Sequence, residues 1–253
     1  MRETARQGGL RTLRWLLSAI LGLLPLAAAA DEVAPVDLAI VVSLDRSESI
    51  DTDEAQGQIE GLLYTLRHSR FSLAAGTGPH GRIALTVMTW SSFGRHETLL
   101  PWVQIAGPAD AAAAARLLEL DLAGRRAVAH GTQTDVAFAI ALGLQRLDAL
   151  PWPASQRVIN VVADGVSNIG HIVTVDRDLA VSRGVTVNGL IMARGSAIEV
   201  LSRYFHAEVI GGPTAFLQVS STRQDFADAM LRKMLLEMVL LRPAPPASGG
   251  VPG

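Results

Sequence analysis

Asp45, Ser47 and Ser49 stand two residues apart each time, just after the apolar and mostly β-branched run Ala39, Ile40, Val41, Val42. Such a run reads as a strand buried on both faces, as in the middle of a parallel sheet. The polar residues that end it are unsuited to that interior and emerge at the strand's carboxyl end. There one carboxylate and two hydroxyls can converge on one point. All three are oxygen donors, a set that suits a hard cation such as Mg2+. The same string has a plainer reading, in which Ser47 or Ser49 caps the helix that follows.

The elements that must position these groups alternate along the chain. Asp53–Arg67 carries Ile59, Leu62, Leu63 and Leu66 at helical spacing, with Asp51, Thr52 and Asp53 available as caps. Gly76-Thr77-Gly78-Pro79-His80-Gly81 matches the letters of a dinucleotide-binding loop. It leads into a strand instead of opening a helix, so the match carries no nucleotide site. Arg82–Trp90 and Glu97–Ile105 read as strands. The six residues between them are too few for a helical crossover, which makes the pair an antiparallel hairpin with Pro101 on the sheet edge. Helices are expected over Asp110–Leu120, Thr132–Leu147, Asp176–Arg183 and Ala197–Phe205, the third with Asp176 and Asp178 facing solvent. Strands are expected over Arg157–Ala163, Val185–Met192 and Ala215–Val219. A last helix opens at Thr222 and runs to Leu241, with Met230, Met234 and Met238 as a core stripe.

This order predicts an α/β fold: a doubly wound, mostly parallel six-stranded sheet with one antiparallel edge strand and helices on both faces. The early hairpin sends its strands to one side of the first strand, and the later strands must lie on the other. The first and fourth strands then meet where the winding reverses, the place where such sheets bind ligands. Both end in an acidic loop, at Asp45 and at Asp164.

Residues 1–30 stand apart. Arg2, Arg6, Arg11 and Arg14 precede an apolar run, and Ala28, Ala29 and Ala30 follow it, the layout of a secretory signal peptide. The apolar run is short for a membrane span. An uncleaved anchor is the alternative to cleavage near Ala30. The expected organisation is a signal peptide over 1–30, one domain over 31–241 and a Pro/Gly-rich tail over 242–253. Without residues 1–30, 18 basic and 23 acidic residues remain, a mildly acidic balance that disfavours nucleic acid and anionic lipid as partners. The chain has no cysteine, which excludes disulfides, thiolate zinc sites and thiol nucleophiles.

Asp45, Ser47 and Ser49, then Thr132 after Gly131 at a helix start, then Asp164 before Gly165, resemble the metal-ion-dependent adhesion site of the von Willebrand factor type A domain. The resemblance covers roughly residues 36–240. It extends to bacterial exported proteins of that fold of unassigned function (DUF1194-like), through GRIALTVMTW, the 157–170 segment, VTVNGLIM and VIGGP. It implies that Asp45, Ser47, Ser49, Thr132 and Asp164 bind Mg2+ (or Mn2+), directly or through water, with Thr134 as the second choice for the threonine. It further implies a protein ligand whose exposed carboxylate displaces a metal-bound water. Glu48 and Asp135 depart from the family pattern, which has small residues at those places.

No catalytic pattern competes. Ser47 stands where a phospho-aspartate hydrolase would need a second Asp, and no G-x-S-x-G elbow is present. His68, His80, His96, His130, His171 and His206 form no zinc-binding pattern, although His130 and His171 flank the acidic loops. The expectation is a non-enzymatic, metal-dependent binding domain exported to the periplasm or the extracellular space, without a membrane span once the signal is cleaved. The alternatives are a Mg2+-dependent enzyme acting on phosphorylated substrates, and a structural domain whose metal site is vestigial.

Overall fold

The computed structural model describes residues 33–124 and 131–240. The expected signal peptide, the tail over 242–253 and His130 lie outside the described residues. The elements follow in order: β1 (Val36–Asp45), α1 (Thr52–Arg67), α2 (Ser69–Ala75), β2 (Ile83–Trp90), β3 (His96–Ile105), α3 (Pro108–Gly124), α4 (Val136–Asp148), β4 (Ala154–Ala163), α5 (Val173–Ser182), β5 (Val185–Met192), α6 (Ala197–Tyr204), β6 (Leu217–Ser220) and α7 (Arg223–Leu240). A five-residue π-helical turn, Phe205–Val209, extends α6.

The six strands form one sheet in the order β3-β2-β1-β4-β5-β6. Only β2 and β3 pair antiparallel, and the other four pairings are parallel. Winding reverses between β1 and β4, as expected from the early hairpin.

Both faces are covered. Ile40, Val42 and Leu44 pack with Leu62 and Leu66 of α1, Phe71 of α2 and Met230 and Met234 of α7. Val41, Ile159 and Val161 pack on the other face with Ile140 and Leu144 of α4 and Phe205 beyond α6. Each such aliphatic or aromatic side chain contributes roughly 1.5–3 kcal/mol when fully buried, and the two clusters anchor the strands that carry the loops.

Several boundaries differ from the expectation. A helix, α2, lies over Ser69–Ala75, ahead of the Gly-rich loop. Gly78 in that loop is pressed against the Asp37 carboxylate, whose oxygens accept from the N–H groups of His80 (2.8 Å) and Arg82 (3.2 Å). The glycine there serves a close backbone approach. α5 begins at Val173, three residues early. Val173, Asp176 and Ala180 then share its buried face, so Asp176 points into the protein while Asp178 stays exposed.

Candidate functional site

β1 delivers Asp45 to the carboxyl edge of the sheet, and β4, its neighbour, ends one residue before Asp164. The Asp45 carboxylate is fully buried. Its Oδ1 accepts from the Ser47 N–H at 2.7 Å, which folds the chain back over the strand end. Its Oδ2 is buried without a hydrogen-bond partner. The Ser47 and Ser49 hydroxyls lie 3.0 Å apart, and Ser49 Oγ donates to Asp164 Oδ1 at 2.8 Å. Four of the five expected residues are therefore linked across the β1–β4 seam, Asp45 through the Ser47 N–H and then Ser47, Ser49 and Asp164 through their side-chain oxygens.

The second loop arrives beside them. Gly131 bridges in parallel to Ser47, and Ser91 and Ser92 pack so closely on Gly131 that no Cβ would fit. Thr132 is exposed, whereas Thr134 is buried. A Cβ built on Gly165 would stand 3.8 Å from Thr134 Oγ1, so Thr134 faces the Asp164–Gly165 turn. α4 starts at Val136, later than expected, because the Asp135 side chain caps it by accepting from the Phe138 N–H at 2.9 Å. Glu48 is exposed.

The third loop clamps the second. Asn168 Oδ1 accepts from the Thr134 N–H at 2.9 Å, and the Asn168 N–H donates to the Thr134 carbonyl at 3.0 Å. Ser167 Oγ accepts from the Val136 N–H at 3.1 Å. The Ser167 N–H in turn donates to the Tyr204 hydroxyl at 3.2 Å. Nothing in the sequence singles out Ser167 or Asn168 for a role. An Asn four residues past a strand-end acid is a turn signal, and nothing local reveals that its amide reaches another loop.

Electrostatics follow from this burial. Burial pushes the Asp45 carboxyl up to about 7, with the nearby Asp164 adding to the effect and the Ser47 hydrogen bonds opposing it. Burial also raises Asp164, against the stabilising Ser49 hydroxyl. Arg46, next in sequence, is buried on the opposite face, where its guanidinium donates to Gln58 Oε1 at 2.5 Å and to the Asp45 carbonyl at 3.0 Å. Burial lowers it to about 10, still charged at neutral pH.

A fully buried carboxylate with an unpartnered oxygen, a half-buried second carboxylate and clustered hydroxyls make a donor set that fits a hard dication. Among the described residues no group of three or more carboxylate, imidazole or thiolate side chains could hold a metal ion, so any cation would depend on the hydroxyls. His171 has an exposed ring 3.7 Å from the Asp176 carboxylate. A cleft of about 310 Å³ opens beside Asp164, floored by Met192 and Phe226 and walled by Glu54, Gln58 and Arg194. Among the described residues, no helix is long and apolar enough to cross a membrane.

Comparison with known proteins bears on the same region. The family model described as "Protein of unknown function (DUF1194)" matches residues 35–241. No curated protein matches the chain. Among solved structures, the chain is similar to proximal thread matrix protein 1 from the mussel byssus with a zinc occupied MIDAS motif, at 17% identity and a TM-score of 0.56, over 82% of this chain and 47% of that one. It is similar to the vWF domain of the type V pili tip protein Mfa5 from Porphyromonas gingivalis, at 8% identity and a TM-score of 0.57, over 83% and 98%. It is also similar to a von Willebrand factor type A protein from Catenulispora acidiphila, at 10% identity and a TM-score of 0.50, over 81% and 43%. The chain spans about half the length of the mussel protein. At these identities the likeness is one of fold.

Proposed function

Because this chain belongs to the DUF1194 family and has the von Willebrand factor type A fold, we propose that it is an exported, non-enzymatic binding domain that engages a carboxylate of a protein ligand through a bound divalent cation. Asp45, Ser47, Ser49 and Asp164 would hold Mg2+ or Mn2+, and a threonine of the second loop would complete the set. The single observation that carries this reading is the buried, unpartnered Oδ2 of Asp45, in a carboxylate linked through the Ser47 N–H and the Ser47 and Ser49 hydroxyls to Asp164. A buried carboxylate oxygen without a donor is costly, and a cation removes that cost.

Thr132 is the threonine implied by the Gly-Thr pattern, whereas burial beside Gly165 favours Thr134. The cation would supply an electrophilic contact with a replaceable water. The protein's own groups orient it and carry few negative charges, which leaves it attractive to an incoming carboxylate. Glu48 is exposed and Asp135 is turned into the α4 cap, so neither is assigned to the cation in this reading. A pilus-tip domain and an occupied metal motif among the similar structures agree with this reading. The apolar run before Ala28-Ala29-Ala30 supports export.

Calorimetric titration of Mg2+ and Mn2+ tests the proposal. Binding is expected in the parent and lost in Asp164→Ala. Thr132→Ala and Thr134→Val, titrated in parallel, decide between the threonines. Absence of heat in folded, metal-free parent would sink the metal-dependent reading. With binding in hand, partners captured with Mg2+ and released by chelator are the expected ligands.

A further inference from the structure

Under α7, on the sheet face it shares with α1, polar side chains meet in the middle of the core. Lys233 and Glu237, one turn apart on α7, are completely buried. Asn160 of β4 is equally buried, and Asn188 of β5 is 1% exposed. Lys233 Nζ lies 2.8 Å from Glu237 Oε1. Asn188 Nδ2 donates to that same Oε1 at 3.1 Å, and Asn160 Nδ2 donates to Oε2 at 2.9 Å. Asn188 Oδ1 accepts from the Phe216 N–H at 2.9 Å, and the Phe216 ring centre lies 4.5 Å from Lys233 Nζ.

An ammonium carries three donor hydrogens, and that of Lys233 has one oxygen partner and one ring face. Keeping the remaining charge and donors in a dry core is costly. Burial holds the Lys233 pKa below its usual range, with Glu237 opposing. Low dielectric disfavours the ammonium and favours the free amine, the form that can act as a nucleophile. Asn160 Oδ1 is buried without a partner.

We propose that Lys233 and Asn188 react to form an intramolecular amide cross-link, with Glu237 carrying the proton. The Lys233 Nζ lone pair attacks Asn188 Cγ, and the carbonyl electrons move onto Oδ1, which the Phe216 N–H already holds. Glu237 Oε1 touches both nitrogens, so it takes the proton from Nζ and returns it to Nδ2. Collapse of the tetrahedral carbon breaks the Cγ–Nδ2 bond and expels ammonia. An amine and a primary amide become a secondary amide and ammonia, with no oxidant or co-reactant. The sealed core excludes the water that would otherwise compete. The bond ties α7 to β5, independently of any cation at the sheet edge.

The test is a tryptic digest of the denatured wild-type protein with mass spectrometry. Acylation of Lys233 blocks cleavage there, and Pro243 blocks cleavage after Arg242. The expected product joins 184–194 to 233–253 and is lighter than the two together by one ammonia. Glu237→Gln and Lys233→Met should lack it. Separate 184–194 and 234–253 peptides would overturn the proposal. Loss of ammonia confined to 184–194 would overturn it too, since Asn188–Gly189 can close to a succinimide of the same mass. A joined product carrying Asn160 in place of Asn188 would overturn the assignment of the acceptor.

Discussion

Burial of Asp45 gives the metal-free and the metal-bound protein opposite responses to pH. Its carboxyl is raised to about 7 in the folded chain, from 3.8 as the ordinary value. Between those values the folded state keeps a proton that the unfolded chain has released. Stability without metal therefore falls as pH rises through that window and levels off above about 7. A cation needs the ionised carboxylate and must displace that proton. Its apparent affinity is expected to rise about tenfold per pH unit up to about pH 7 and then flatten. Calorimetry across that range checks the slope, and a pH-independent affinity would remove Asp45 from the ligand set. Asn168 acts at the same scale. Replacing it by alanine leaves the buried Thr134 N–H without its acceptor, at a cost of about 1–3 kcal/mol. Asp45 and Asp164 were legible because each acid ends a β-branched run. Asn168 was not, because its partner lies 34 residues away.

At the scale of elements, the α1–α7 contact sets a test in which two local rules disagree. Gly61 lies inside α1, where helix propensity alone makes Gly→Ala favourable by about 1 kcal/mol. A Cβ there would stand 2.6 Å from Phe226 Cδ1 and 3.3 Å from the Ala227 Cα of α7. Forcing that atom into a packed interface costs about 1–3 kcal/mol, so Gly61→Ala is expected to be less stable in urea than the parent. A gain in stability would mean that the two helices have room to part. The period of apolar residues sufficed to place α1, β2, β5 and α7 nearly to the residue. It fails at α5, where a helix starting at Asp176 would present that acid to solvent, whereas the start at Val173 buries it. It also passed over α2, whose seven residues are too few for a periodic pattern to stand out.

For the whole molecule, ligation at the sheet edge should appear as global stability, since a cation that binds only the folded chain shifts the equilibrium by mass action. At a hundred times the dissociation constant the gain is about 2.7 kcal/mol. For a domain of this size that corresponds to roughly 2–4 °C per kcal/mol. Mg2+ should therefore raise the melting temperature of the parent by several degrees and leave Asp164→Ala unmoved. An equal rise in both would place the effect elsewhere. The sequence by itself determined the α/β class, the hairpin edge, the reversal between the first and fourth strands and the two acidic loops that meet there. These follow from side-chain period and connection length, which are local quantities. Only the tertiary structure decided which threonine is buried, that Asp135 caps a helix, that Arg46 lies under α1, and that Lys233 shares one carboxylate oxygen with Asn188. Each of those depends on distances between segments far apart in the chain, and a polar residue's partner is set by what packing leaves within reach.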